Sequence, residues 1–597
     1  MIQQAFLVAW LLGTAAAVQA SETPTSVDEA GEAQQHSRIL AAIAEETWQG
    51  VMTSDNGLRD AAGLPFVGIK DIDRAEAERD AAAARRLLAR LRMIDPAALT
   101  PDEAITRQFL IKFNQDIAEG PDNWLHDFAI TPYSGVLPLN GLIEFASKRP
   151  LATPKQRAEY LWLLTEIGDR LDQMKERTIA QRDAGIYLAK PAISSLRATY
   201  LALAGGVETR LVPSPARLAA MPDSDAASFT AAARSAAAAR ITAGLTDIAV
   251  LLDTDYESHA PASIGLSQYS GGRERYRRAI ATYTTTDQSP EQLHALGLGL
   301  VADTQQRLAE LRDRIGFAGS QADFHRMLDT DPRFRVADAT ALEALFRAQI
   351  ARIEPHIPRY FSRQPKAGYS IRRIPATSEG GVAFGYYEKP SSVEPLGLFR
   401  YNGANLDKRS MVQAAAINYH ELIPGHHFHL ALQAENTALP AIRRDLASLR
   451  LSAYNEGWAQ YAANLAIEMG AITDPYDHYG LVALDAMMAA RLVVDTGVNA
   501  LGWDFTQARD YLVAHTMMSL EQASAEVLRY ATDVPGQALA YKLGHEKFVN
   551  LRREAEAALG ARFDIREFHD TVLSPGAVQL DVLEAHIRNW IEQKRSR

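Results

Sequence analysis

The 597-residue chain contains no cysteine, and that absence closes off several chemistries at once. Disulfides, thiol nucleophiles, thiolate metal ligands and a cysteine-linked lipid anchor are excluded. Any metal site must use nitrogen and oxygen donors. A Gly-x-Ser-x-Gly elbow is missing, which removes the usual signature of a serine hydrolase. Phosphate-binding glycine loops are missing too, since Gly271-Gly272 stands alone. No basic tail exists: the formal net charge is −11, with both signs interspersed, which argues against nucleic acid as a partner.

Long apolar runs are scarce. Residues 5–18 form one, and Val18-Gln19-Ala20 supplies the small residues that precede a signal-peptidase cut, so residues 1–20 read as a signal peptide. The run is short for a membrane span and no other stretch approaches that length, so the mature chain is expected to carry no integral membrane segment. With no lipobox cysteine, the expected location is periplasmic or secreted.

What the chain has is helix-forming sequence. Alanine and Leu-Arg-Glu patterns recur, and 47% hydrophobic residues are ample for a large core. A single core rarely grows to this length, so two lobes are expected. Helical patterns cover about Ser37 to Asp116, 153–186, 225–253, 290–316 and 338–363, with Thr100-Pro101-Asp102-Glu103 reading as a capped helix start. Between Tyr369 and Asn402 the period changes: 370–374, 382–387 and 397–401 read as strands around the Glu379-Gly380-Gly381 turn. The fold expected is mainly α, a large two-lobed helical body with a central cleft and a small β-sheet near residues 369–402. An N-terminal lobe would span 21–270 and a C-terminal lobe 271–597, the two intertwined. The sheet lies just upstream of the segment richest in chemistry, where a free strand edge could pair with an extended peptide or merely cap a helical lobe.

That segment is Asn418-Tyr419-His420-Glu421-Leu422-Ile423-Pro424-Gly425-His426-His427, with His429 close behind. Catalytic zinc takes three protein ligands, and in a His-Glu-x-x-His helix two histidines grip the ion while the glutamate takes a proton from water. Here the first two positions are His420 and Glu421, but the fifth is Pro424. On a regular helix, at about 100° and 1.5 Å per residue, His427 would lie roughly 10 Å along the axis from His420 and His426 would point elsewhere. The helix is therefore expected to be irregular. Pro424 lacks an amide donor, and Gly425 tolerates unusual torsions, so a widened turn or bulge at 422–425 should absorb two residues and bring His426 to His420. His427 remains the rival second ligand. Glu456, among small and aromatic neighbours in Asn455-Glu456-Gly457-Trp458, is the candidate third.

These segments, together with Arg491–Gly497, Pro535–Gly544 and Phe568-His569-Asp570, resemble the bacterial domain-of-unknown-function family 885. That family is placed beside the helical zinc peptidases called gluzincins, such as angiotensin-converting enzyme and the thermostable carboxypeptidases, in which a Gly-His ends the first zinc motif and a downstream glutamate completes the site. The resemblance implies one Zn²⁺, or another divalent ion, on His420, His426 and Glu456, with Glu421 as general base. The inserted Ile-Pro departs from the peptidase pattern.

Hydrolysis through an oxyanion also needs a donor, for which Tyr541 and His569 are candidates. Arg491, Arg529, Lys542 and Arg552 are candidates for holding a substrate carboxylate, and Tyr387 for lining the site. Arg491 and Asp495, one turn apart, also read as an intrahelical ion pair. The expected function is an exported zinc-dependent metallopeptidase acting on short peptides, carboxypeptidase-like. Two alternatives stand beside it: a non-catalytic metal- or peptide-binding envelope protein, and an amide hydrolase acting on a small metabolite.

Overall fold

Three of the helices begin where a capping side chain precedes a proline and is answered by the third helical residue. Thr100 accepts the Glu103 amide while the Glu103 carboxylate accepts the Thr100 amide, and Pro101–Ala118 follows. The same reciprocal caps start Pro154–Asp183 and Pro290–Ile315. Proline is tolerated there because its missing N–H falls where no intrahelical partner exists.

The computed structural model describes residues 26–596 apart from 220, 376–378 and 380–383. The expected signal peptide, residues 1–20, and residues 382–383 of the expected middle strand lie outside that set. The architecture is mainly helical with one small three-stranded mixed sheet. Its strands are β1 (Tyr369–Arg373), β2 (Gly385–Glu388) and β3 (Gly397–Tyr401). β3 lies in the middle, parallel to β1 (Ile371 opposite Phe399) and antiparallel to β2 (Tyr387 opposite Phe399). Among the described residues, β2 pairs on one side only.

Two cores dominate, and they are not sequential. Residues between Phe128 and Ala260 bury one, whereas the second joins Leu40–Phe113 to residues from Leu342 to Ile591. Arg443, 1% exposed, fastens that second union: its guanidinium donates to the Asp102 carboxylate at 3.0 Å, to Thr106 Oγ1 at 3.0 Å and to the Pro575 carbonyl. The alanine-rich stretch, Asp223–His259, is long and apolar enough to cross a membrane by length and composition, contrary to the expectation that no stretch beyond residues 5–18 would be. Its Ala233, Ala237, Ile241, Leu245 and Ile248 are fully buried in the first core, which is what its apolar face is for in this fold.

One helix crossing sets the position of the candidate site. Ser452–Glu468 and Leu539–Leu559 meet at Gly457 and Gly544. A Cβ on Gly544 would stand 1.8 Å from the Ala453 carbonyl oxygen, and one on Gly457 2.4 Å from the Gly544 carbonyl carbon. The axes approach this closely only with glycine on both sides. Gly544→Ala should therefore destabilise the protein by about 1–3 kcal/mol, read as a lower denaturation midpoint. Gly205→Ala, in the open helix Lys190–Leu211 with nothing within 4 Å, should instead stabilise by up to about 1 kcal/mol.

Candidate metal centre

The histidine segment is not one bulged helix but two helices. Ala414–Glu421 ends, residues 422–425 form a turn, and His426–Glu435 begins anew. This corrects the expectation of a widened turn within a continuous helix, and the reason is steric. The turn folds back on the helix it leaves, so that a Cβ on Gly425 would lie 1.9 Å from the His420 carbonyl oxygen. Leu422 leaves the helical region with φ −102° and ψ −106°. The result brings the His420 and His426 rings to 4.8 Å between centroids, nearly perpendicular.

Neighbouring elements fix each piece. The first histidine helix is pinned to Ala339–Ile353 by Asn418, which donates to the Phe346 carbonyl at 2.9 Å, and by the Tyr419 hydroxyl, which donates to the Gln349 carbonyl at 3.0 Å. Trp458, fully buried, donates its indole N–H to the carbonyls of Pro424 and Gly425 at 3.1 and 3.3 Å. The same helix carries Glu456. One element therefore both holds the turn and supplies the carboxylate.

Glu456 Oε2 lies 3.4 Å from Nε2 of His420 and 3.4 Å from Nε2 of His426. These separations exceed an ordinary N–H···O hydrogen bond. They match the roughly 3.3 Å between neighbouring ligand atoms placed about 2.05 Å from one tetrahedral ion. One ligand atom from each of the three residues falls within a 4.8 Å group. A buried His-His-Glu group of this kind can hold a metal ion, and its donors suit a borderline divalent cation such as zinc. Burial alone would raise the Glu456 carboxyl, but His426 and His420 beside it hold it well below the usual carboxylate range. His429 Nε2 meets His426 Nδ1 at 3.2 Å, and burial keeps its ring neutral.

The other candidates separate clearly. His427 is turned away from the group onto the sheet, its Nδ1 2.8 Å from the Tyr387 hydroxyl and its ring against Tyr369. Gly397 permits this docking, since a Cβ there would strike Tyr387. Glu421 stands by His420 and Glu456, with the Tyr387 backbone of β2 close enough to act on its carboxyl, which burial raises to about 8. Tyr541 lies within the influence of Glu456, and burial followed by that charge raises its phenol to about 12, leaving it a neutral donor. The Arg491 guanidinium covers the Tyr541 ring at 4.7 Å. Arg529 and Arg491 share the Glu526 carboxylate. Asp495 is not Arg491's partner, contrary to the ion-pair reading. Its oxygens accept from the Tyr276 hydroxyl, Asn499 and the Gly536 amide.

The remaining three lie elsewhere. His569 is fully buried with both ring nitrogens engaged, one by the Tyr461 hydroxyl and one by the Tyr360 carbonyl. Lys542, bound to Asp485 and Glu546, and Arg552, bound to Glu468 and Glu556, line a separate cavity of about 680 Å³. The sequence reading missed the work of Trp458 and the contact of His429. The only signal for the first was its place two residues after Glu456.

Fold and site together define a helical protein with a candidate metal centre. The chain belongs to the bacterial protein family of unknown function DUF885, whose model matches residues 59–587. Among solved structures, it is similar to "the putative lipoprotein from Colwellia psychrerythraea", with a TM-score of 0.82 at 22% identity over 94% of this chain and 99% of that one. A Shewanella oneidensis protein, described as "a putative lipoprotein of unknown function", has a TM-score of 0.68 at 17% identity over 92% of this chain and 99% of its own. At these identities the likeness shows the fold alone. No curated protein matches the sequence.

Zinc titration of the purified chain followed by calorimetry should find one equivalent bound. His426→Ala and Glu456→Ala should each abolish stoichiometric binding, whereas His427→Ala should retain it. Trp458→Phe, which removes the donor to the turn, should weaken binding by about 10-fold, the scale of a lost supporting contact.

Proposed function

We propose that the protein is an exported metal-dependent hydrolase that cleaves short peptides. The observation that carries this reading is the convergence of His420, His426 and Glu456 on one point, with Glu421 beside it and the edge strand β2 next to Glu421. A divalent cation held by these three residues would supply a Lewis acid that polarises a carbonyl and lowers the pKa of water.

The protein's own groups supply the rest. Burial raises the Glu421 carboxyl, but a divalent cation held beside it would favour its ionised form, and as a carboxylate it is placed to take the proton from the attacking water and to return it to the departing amine nitrogen. The backbone of Tyr387 lies close to Glu421 on the sheet side. Tyr541, protonated across the working pH range, donates to the oxygen on which charge develops. The exposed side of β2 lets an extended peptide lie along the sheet edge and present its backbone carbonyl. The motifs' resemblance to gluzincin zinc peptidases supports the same chemistry, with zinc as the favoured ion.

Export is proposed from the N-terminal sequence. The two similar solved proteins carry the description "putative lipoprotein", but this chain has no cysteine to carry a lipid, so a periplasmic or secreted location is favoured.

Digestion of a peptide library, read by mass spectrometry, should show cleavage that a chelator stops and zinc restores. Glu421→Gln should keep its metal and lose about 10²–10⁴-fold in kcat. A Glu421→Gln protein as active as the parent contradicts the assigned base. A library left intact while peptides still bind favours a binding protein instead.

A further inference from the structure

The four cationic candidates for holding a carboxylate are not equivalent, and counting their partners singles one out. Lys542 faces Asp485 and Glu546, and Arg552 faces Glu468 and Glu556, so each is balanced by two carboxylates. Arg491 and Arg529 instead share a single one, Glu526, whose Oε2 receives Nη2 of both at 3.0 Å. The hydrogen bonds of the nearby acids come from neutral donors: Asp495 accepts from the Tyr276 hydroxyl and the Gly536 amide, and Asp533 from the amides of Tyr133 and Ser134. Neither forms an ion pair with the arginines among the described residues. Asp495 and Asp533 act on Arg529, whereas the one ion pair that Arg491 makes among the described residues is with Glu526, which it shares with Arg529 in a largely buried setting where a further anion beside Arg491 is favoured.

The two arginines also differ in what they have left to offer. Arg529 has committed every guanidinium nitrogen, Nε and Nη2 to Glu526 and Nη1 to the Gln537 side chain at 2.9 Å. Arg491 gives Nε to the Tyr530 hydroxyl and Nη2 to Glu526, while its Nη1 meets no acceptor among the described residues. Its side chain keeps 10% of its surface and that of Glu526 keeps 21%, as Glu456 keeps 17%. Between Arg491 and Glu456 lies Tyr541, its ring beneath the guanidinium and its hydroxyl held by Gln537 at 3.4 Å. The close crossing at Gly457 and Gly544 keeps Tyr541 and Glu456 together.

We propose that Arg491 is the anchor for the free C-terminal carboxylate of the peptide, with Arg529 and Glu526 positioning it, so that the bond cut lies close to the carboxyl end. This rests on the peptide-hydrolase reading above and names its substrate class. A guanidinium held flat on an aromatic ring with one edge unengaged suits a carboxylate, which accepts hydrogen bonds along that edge.

The test is a pair of peptides of one sequence, one ending in a free acid and one in a C-terminal amide, titrated calorimetrically into zinc-loaded protein carrying Glu421→Gln so that nothing turns over. The free acid should bind about tenfold or more tightly than the amide, the scale of a hydrogen bond to a charged group. Adding Arg491→Gln should erase that preference, and it leaves one guanidinium per carboxylate, so the fold should persist, as circular dichroism would verify. Adding Arg552→Gln should leave the preference unchanged. Equal binding of acid and amide, equal weakening of both by Arg491→Gln, or binding of neither overturns the anchor. If the library is nonetheless cleaved, and acid and amide forms are cut alike, the hydrolase reading survives without it. If the library is intact, that reading falls as well.

Discussion

The indole N–H of Trp458, aimed at the carbonyls of Pro424 and Gly425, holds the turn on which the candidate centre depends. Without that turn His420 and His426 would sit on one helix with five residues between them, on different faces. With it, the first helix stops, the chain folds against its own His420 carbonyl, and the second helix starts with a histidine facing the first. Because Glu456 lies on the helix that carries Trp458, the third ligand candidate is placed by the same packing that holds the other two.

This arrangement passes outward through close helix contacts. The Gly457–Gly544 crossing puts the Tyr541 helix against the Glu456 helix, and Tyr541 in turn supports Arg491. On the other side, His427 docks the second histidine helix onto the sheet through Tyr387, whose backbone lies close to Glu421. The sheet is small, but it touches the site through one residue twice. The proposed function would thus draw proton handling, charge stabilisation and substrate alignment from different elements that pack together.

Much of this was legible in the sequence, and the limits are instructive. The Thr100 cap with Pro101 after it reported a helix beginning because such signals act locally. The period change at 369–402 reported the sheet. Pro424 and Gly425 reported that the helix must be irregular, but local torsional preferences cannot say whether a helix bulges or stops. That was decided by the distant Trp458 and by contact with His420. Likewise Arg491 and Asp495 fit the spacing of an ion pair, yet their partners, Glu526 and Tyr276, come from other helices. Spacing along one helix does not contain that information. Nor could the sequence show that residues 40–113 share a core with the C-terminal half, since such pairing is fixed only by tertiary packing.

The account stands or falls on which atoms would bind an ion at the turn. An X-ray absorption spectrum of the zinc-loaded protein should show two imidazole nitrogens, with the remaining ligands oxygen, and His427→Ala should leave that spectrum unchanged. A spectrum requiring three imidazoles, or one that loses a nitrogen ligand in the His427→Ala protein, would contradict the assignment of His420, His426 and Glu456.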